Sequence, residues 1–72
     1  MKQYLVLYTV NGKGYTDTKP WIDAETEDST EARQAYDDLL DWSKTQTGDT
    51  YDIWIEAREV GSWERVDIDS LN

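Results

Sequence analysis

Sixteen carboxylates, seven bases and no histidine or cysteine set the chemistry open to this 72-residue chain. The carboxylates are unevenly placed. From Asp17 to Asp41 there are nine, opposed by Lys19 and Arg33 alone, so this stretch carries −7 of the net charge of −9. Glu31, Asp38 and Asp41 stand at the intervals that stack side chains on one face of a helix, with Asp37 beside them, and Glu25, Glu27 and Asp28 lead into them. Like charges at such spacing repel, at about 0.2–0.5 kcal/mol per pair. One use for the row is to occupy a basic groove that otherwise holds phosphates. The plainer use is a solvated face that keeps the protein soluble.

The aromatic residues form the second group with chemical potential. Four Trp and five Tyr are many for so short a chain. They offset an apolar content of only 38% and argue against disorder, since each ring buries a large area. Trp21, Trp54 and Trp63 are the candidate anchors of an aromatic sheet face, either for a partner or for a second copy of the chain. The competing reading places these rings in the core or flat under the stems of Lys19, Arg58 and Arg65.

Several functions are disfavoured by composition. Without cysteine there is no disulfide framework, thiolate zinc site or thiol nucleophile. Without histidine no serine has the usual activating base, and none sits in a nucleophile-elbow pattern. A core this thin is expected to form no pocket of a few hundred Å³ in which a carboxyl group would be tuned for acid–base work. No enzyme, cofactor or metal site is therefore expected. The acidic runs Glu25-Thr26-Glu27-Asp28 and Asp67-Ile68-Asp69-Ser70 match no calcium loop. Asn11-Gly12-Lys13-Gly14 lacks phosphate-loop spacing and reads as a turn. The sign of the charge disfavours direct nucleic-acid binding.

The elements that position these groups follow from the pattern. Tyr4 to Val10 reads as a strand, and Asn11-Gly12 as its hairpin loop, which pairs Val10 with Lys13, Tyr8 with Tyr15, Leu7 with Thr16 and Val6 with Asp17. The returning strand starts near Tyr15 and is an edge strand, interrupted at Pro20 and resumed through Trp21 to Ala24. Asp28 or Ser29 caps a helix whose apolar stripe is Ala32, Ala35, Tyr36, Leu39, Leu40 and Ser43. It runs to about Thr45, with Gly48 as a stop signal. Tyr51 to Val60 and Trp63 to Ile68 form a second hairpin around Gly61-Ser62, pairing Val60 with Trp63, Ala57 with Val66 and Ile55 with Ile68.

The expected fold is a single α+β domain, residues 1–72, in the order ββαββ: a four-stranded, mainly antiparallel sheet with one helix on one face. That helix is expected to cover Ile53, Ile55, Ala57, Val66 and Ile68, with Leu5, Leu7, Ile22 and Ala24 from the first hairpin. Tyr4, Val6, Tyr8, Tyr15, Trp21, Trp54, Val60 and Trp63 then fall on the opposite face, unless the first strand turns Tyr4, Val6 and Tyr8 to the helix. No run of 18 apolar residues spans a membrane. Met1-Lys2-Gln3-Tyr4 leads into a strand rather than a signal-peptide core, so a cytoplasmic location is expected, although a mature secreted chain has the same look.

The functional expectation is a small acidic protein-binding module that inhibits or modulates a basic, nucleic-acid-binding partner through a DNA-mimic-like surface. In size and charge the chain is similar to phage inhibitors of host DNA-binding enzymes, a likeness of type that no motif carries. The alternative is a self-associating domain that uses the aromatic sheet face as a homodimer interface, with the acids serving solubility.

Overall fold

A computed structural model describes residues 2–12, 14–16, 18–59 and 61–71, and of Tyr15 and Thr16 the backbone only. The element order is β1 (Gln3–Gly12), β2 (Tyr15–Thr16), β3 (Trp21–Thr26), α1 (Ser29–Lys44), β4 (Asp49–Arg58), β5 (Glu64–Val66) and a 3₁₀ turn, Ile68–Ser70. β2 and β3 both pair with β1 along one edge. They act as one strand broken around Pro20, whose missing N–H suits an edge. The sheet is thus four strands wide, with β1 and β4 central, β5 at the far edge and every pairing antiparallel. This is the expected ββαββ α+β domain. β3 and β4 run the same way with β1 between them, which makes α1 the crossover that must lie on a face.

α1 begins as its residues require. Asp28 caps it, its Oδ1 accepting from the Thr30 N–H at 2.8 Å. The Thr26 hydroxyl accepts from the Asp28 N–H at 3.1 Å and donates to Glu31 Oε2 at 2.7 Å. This is a capping box with one hydroxyl inserted between its partners. At the other end the Thr45 hydroxyl donates to the Trp42 carbonyl at 2.7 Å. Gly48, at φ +88°, then supplies the left-handed turn into β4.

The core lies between α1 and the sheet. Val6 and Ile55 are its largest fully buried side chains, paired across β1 and β4. Tyr4, Ala32, Leu39 and Leu71 are buried around them. Ile53, Ala57, Val66, Ile68 and Ala24 pack on this face as expected. The first strand does not. Tyr4, Val6 and Tyr8 face the helix, and Leu5 and Leu7 face away. Leu5 and Leu7 are nonetheless buried. In their rows stand Glu25 and Glu56 beside Leu5, and Ile22 and Trp54 beside Leu7.

Three local expectations are corrected. Asn11 and Gly12 are not a loop: they pair with Thr16 and Tyr15, and with Thr50 and Asp49 of β4, so the strand is lengthened by its long-range partner. Gly14, at φ +88°, sits in the turn instead. In the second hairpin Val66 faces Ile55 and Glu64 faces Ala57, a shift of two residues, while Ile68 leaves the ladder for the 3₁₀ turn. The expected pair between Val60 and Trp63 falls on Val60, outside the described residues, as do Lys13 and Asp17 in the first hairpin. Lastly, the ladder between β1 and β3 passes from Val6↔Ala24 to Leu7↔Ile22, which leaves Asp23 as the extra residue of a bulge. The bulge reverses the parity of the strand, so Ile22 goes to the open face and Trp21 joins Tyr8 on the helix side.

Candidate protein-interaction surface

The helix sets out the acids in three places. Glu31, Asp37, Asp38 and Asp41 are all exposed on α1: Asp37 and Asp41 lie opposite buried Ala32 and Leu39, while Glu31 and Asp38 stand about a quarter-turn away, on the flank towards β3. Glu27 and Asp28 are exposed at its approach. Glu25 lies apart from them, since it pairs with Leu5 on the face turned from the helix. None of these seven carboxylates is ion-paired among the described residues. Of the nearby cations, Arg33 is turned to the Leu71 carbonyl, which accepts from its Nη1 at 2.8 Å.

Two of the acids have local duties. Asp28 is the cap, and Glu31 anchors Thr26. Asp28→Ala is expected to lower the stability of the domain by about 1 kcal/mol, and Asp28→Asn to restore most of it. Chemical denaturation of the three proteins checks this. Asp37 and Asp41 have no such duty among the described residues, and Asp38 accepts from Gln34 Nε2 at 2.9 Å.

The three candidate tryptophans do not converge. Trp54 and Trp63 are half-buried, and each carries an arginine of this chain on its ring: Arg65 at 4.9 Å from the Trp54 centroid and Arg58 at 4.4 Å from that of Trp63. Trp54 Nε1 donates to Glu56 at 2.8 Å, Arg65 also reaches Asp52 at 3.7 Å, and Arg58 Nε donates to Gln3 at 2.9 Å. This face is therefore stitched together by cation–π contacts and hydrogen bonds. Trp21 lies in the row of Tyr8, on the helix side, 58% exposed.

Sequence reasoning passed over Trp42, which is 45% exposed at the end of α1. It packs edge-on against Tyr51 at 5.2 Å, and Tyr51 lies 6.4 Å from Tyr8. Half-burial, then the charges of Asp49 and Tyr8, raise the Tyr51 hydroxyl above its ordinary pKa of 10.0. Trp42, four residues after Asp38 and three after Leu39, borders the apolar stripe, and that spacing was the available signal.

Between α1 and β3 a groove of about 370 Å³ opens, lined by Tyr8, Asp23, Asp38, Leu39 and Trp42. Pockets of a few hundred Å³ thus form after all, as open surface grooves rather than enclosed cavities. Aromatic rings and carboxylates are brought together here, on the flank of the acidic helix. Among the described residues no three acidic side chains gather in a metal-ligating cluster, and no helix is long and apolar enough to cross a membrane. In comparisons with known proteins, no family model, no curated protein and no solved structure matches the chain.

Proposed function

We propose that the chain is a protein-binding module of the cytoplasm that inhibits or modulates a basic, nucleic-acid-binding protein by presenting the outer face of α1 in place of phosphates. The observation that carries this reading is the set of exposed carboxylates, free of ion pairs among the described residues, on that face and its β3-side flank. At 1.5 Å of rise per residue, Asp28 to Asp41 spans roughly 20 Å, one carboxylate per ~4–5 Å. Each strand of a duplex carries a phosphate about every 3.4 Å along the helix axis, so the spacing of the carboxylates approaches that of one strand of a duplex. Glu31 and Asp28 are held by their capping bonds, which spares some of the ordering cost at an interface.

The test is a variant with Asp37, Asp38 and Asp41 all changed to Lys. Each reversal adds two positive charges, so the net charge moves from −9 to −3. Wild type and variant are immobilised and exposed to a bacterial lysate at low and then high salt, with and without competing duplex DNA. Nucleic-acid-binding proteins should be retained by the wild type, released by salt and displaced by DNA. For an isolated partner the variant should associate about tenfold more slowly and with a flatter salt dependence, while its denaturation midpoint stays within error. Equal retention by both proteins would overturn the proposal. Self-association through Trp54 and Trp63 has weaker support, because their rings are already occupied by Arg65 and Arg58.

A further inference from the structure

We infer that the groove between α1 and β3 is a receptor for an arginine side chain presented by a basic protein. This rests on the reading above and gives the acidic face a point of anchorage. The chain itself shows what holds a guanidinium. On the opposite side of the sheet Arg65 is held between the ring of Trp54, at 4.9 Å, and the carboxylate of Asp52, at 3.7 Å. The groove offers the same pair of groups, the half-exposed ring of Trp42 and the carboxylates of Asp38 and Asp23, with Tyr8 and Leu39 completing its walls. No lysine or arginine lines it among the described residues.

Each wall group is placed by something other than chance contact. Asp38 is steered by its bond from Gln34. Asp23 is the residue added by the β3 bulge, a device that re-aims a side chain at a sheet edge. Trp42 is set by its edge-on packing against Tyr51. An arginine suits this combination better than a lysine. Its planar, weakly hydrated guanidinium lies on an aromatic ring while its N–H fork meets a carboxylate, whereas an ammonium keeps its water and fits neither geometry as well.

The four tryptophans make the test site-resolved, since each contributes one indole N–H signal to a ¹H–¹⁵N spectrum. The probe is an oligoarginine peptide, compared with oligolysine and with neutral oligocitrulline of the same length. The Trp42 signal, assigned by substitution, should move saturably with oligoarginine while those of Trp54 and Trp63 move little. Oligolysine should bind about fivefold more weakly, and oligocitrulline should leave the Trp42 signal in place. Asp23→Asn with Asp38→Asn, which keeps side-chain shape, should weaken oligoarginine about tenfold with an unchanged far-ultraviolet spectrum. Trp42→Leu, followed through the Leu39 amide, should weaken it about two- to fivefold.

Equal binding of oligolysine, equal movement of the Trp54 and Trp63 signals, or indifference to the two Asn substitutions would each overturn the inference. Asp37 and Asp41 lie outside the groove. A partner that is lost on reversing the helix face but indifferent to the groove variants would leave the acidic-surface reading standing and remove the arginine receptor alone.

Discussion

Ile55→Ala should take away a large part of the stability of this domain. Ile55 is 1% exposed, and it is flanked on β1 by Val6, at 0%, and on β5 by Val66. Truncation of such a side chain costs about 2–5 kcal/mol, the spread reflecting how far the site collapses. At roughly 0.05–0.15 kcal/mol per residue the whole domain has about 4–11 kcal/mol to lose. With a urea dependence near 1 kcal/mol/M for so small a protein, the midpoint should fall by about 2 M or more. Ile55→Val, which removes one methyl group, should cost only about 0.5–1.5 kcal/mol. Because Val6 and Ile55 touch across the central ladder, the effects of Val6→Ala and Ile55→Ala should fail to add. A midpoint for Ile55→Ala within 0.5 M or so of wild type would show that the core is centred elsewhere.

Leu71→Asp should be the most damaging single change outside the sheet. Leu71 is 6% exposed and joins Tyr4, Val6, Ala32, Leu39 and Ile55 in the core. Its backbone is tied down at both polar groups, the N–H donating to the Ile68 carbonyl at 3.1 Å and the carbonyl accepting from Arg33 at 2.8 Å. An aspartate there would bury a charge with no partner built for it, or swing out and open the cluster. Leu71→Ala isolates the packing part, about 2–3 kcal/mol. Arg33→Ala removes only the bond to the carbonyl, and should cost about 0.5–1.5 kcal/mol. Equilibrium unfolding followed by tryptophan fluorescence ranks the three. A ranking in which Arg33→Ala is the most severe would mean that the segment is held by its backbone and that the side chain contributes little.

Leu71 also shows why part of the core was hidden in the sequence. It stands alone among Asp69, Ser70 and Asn72, and only its offset of three from Ile68, which puts both on one side of a 3₁₀ turn, marks it. The helix was legible because its cap, stripe and end are local features, and the second hairpin was legible as a hairpin. Its register was not. A shift of two residues keeps every side chain on its face, so alternation is blind to it. The tight turn signalled by Gly61-Ser62 gives way to a longer connection in which Trp63 lies against Arg58.

The first strand misled for a related reason. Tyr4-Leu5-Val6-Leu7-Tyr8 is apolar on both faces, so its pattern cannot choose which face meets the helix. The choice follows from β4, whose Ile53, Ile55 and Ala57 pair with Tyr8, Val6 and Tyr4. For the candidate surface, the acidic row was visible in the spacing of Glu31, Asp38 and Asp41. The groove was not, because it needs the bulge at Asp23 and the approach of β3 to α1, neither of which has a local signature.

The central place of β1 also governs how the molecule comes into being. Gln3 bonds to Arg58, 55 residues away, and Asn11 to Thr50, 39 residues away. Pairings so distant put the domain among the slower folders of its size, because long loops must close before any reward is collected. During synthesis at about 5–20 residues per second, β1 emerges seconds before the strand that is to lie beside it. Through that interval Tyr4 to Val10, a β-prone stretch without charge, has its inner edge bare. The segment that follows it out of the ribosome is the most acidic part of the chain. Mutual repulsion between nascent chains thus guards the strand until β4 arrives, and neutralising those acids should show first as aggregation during refolding, ahead of any change in the finished protein.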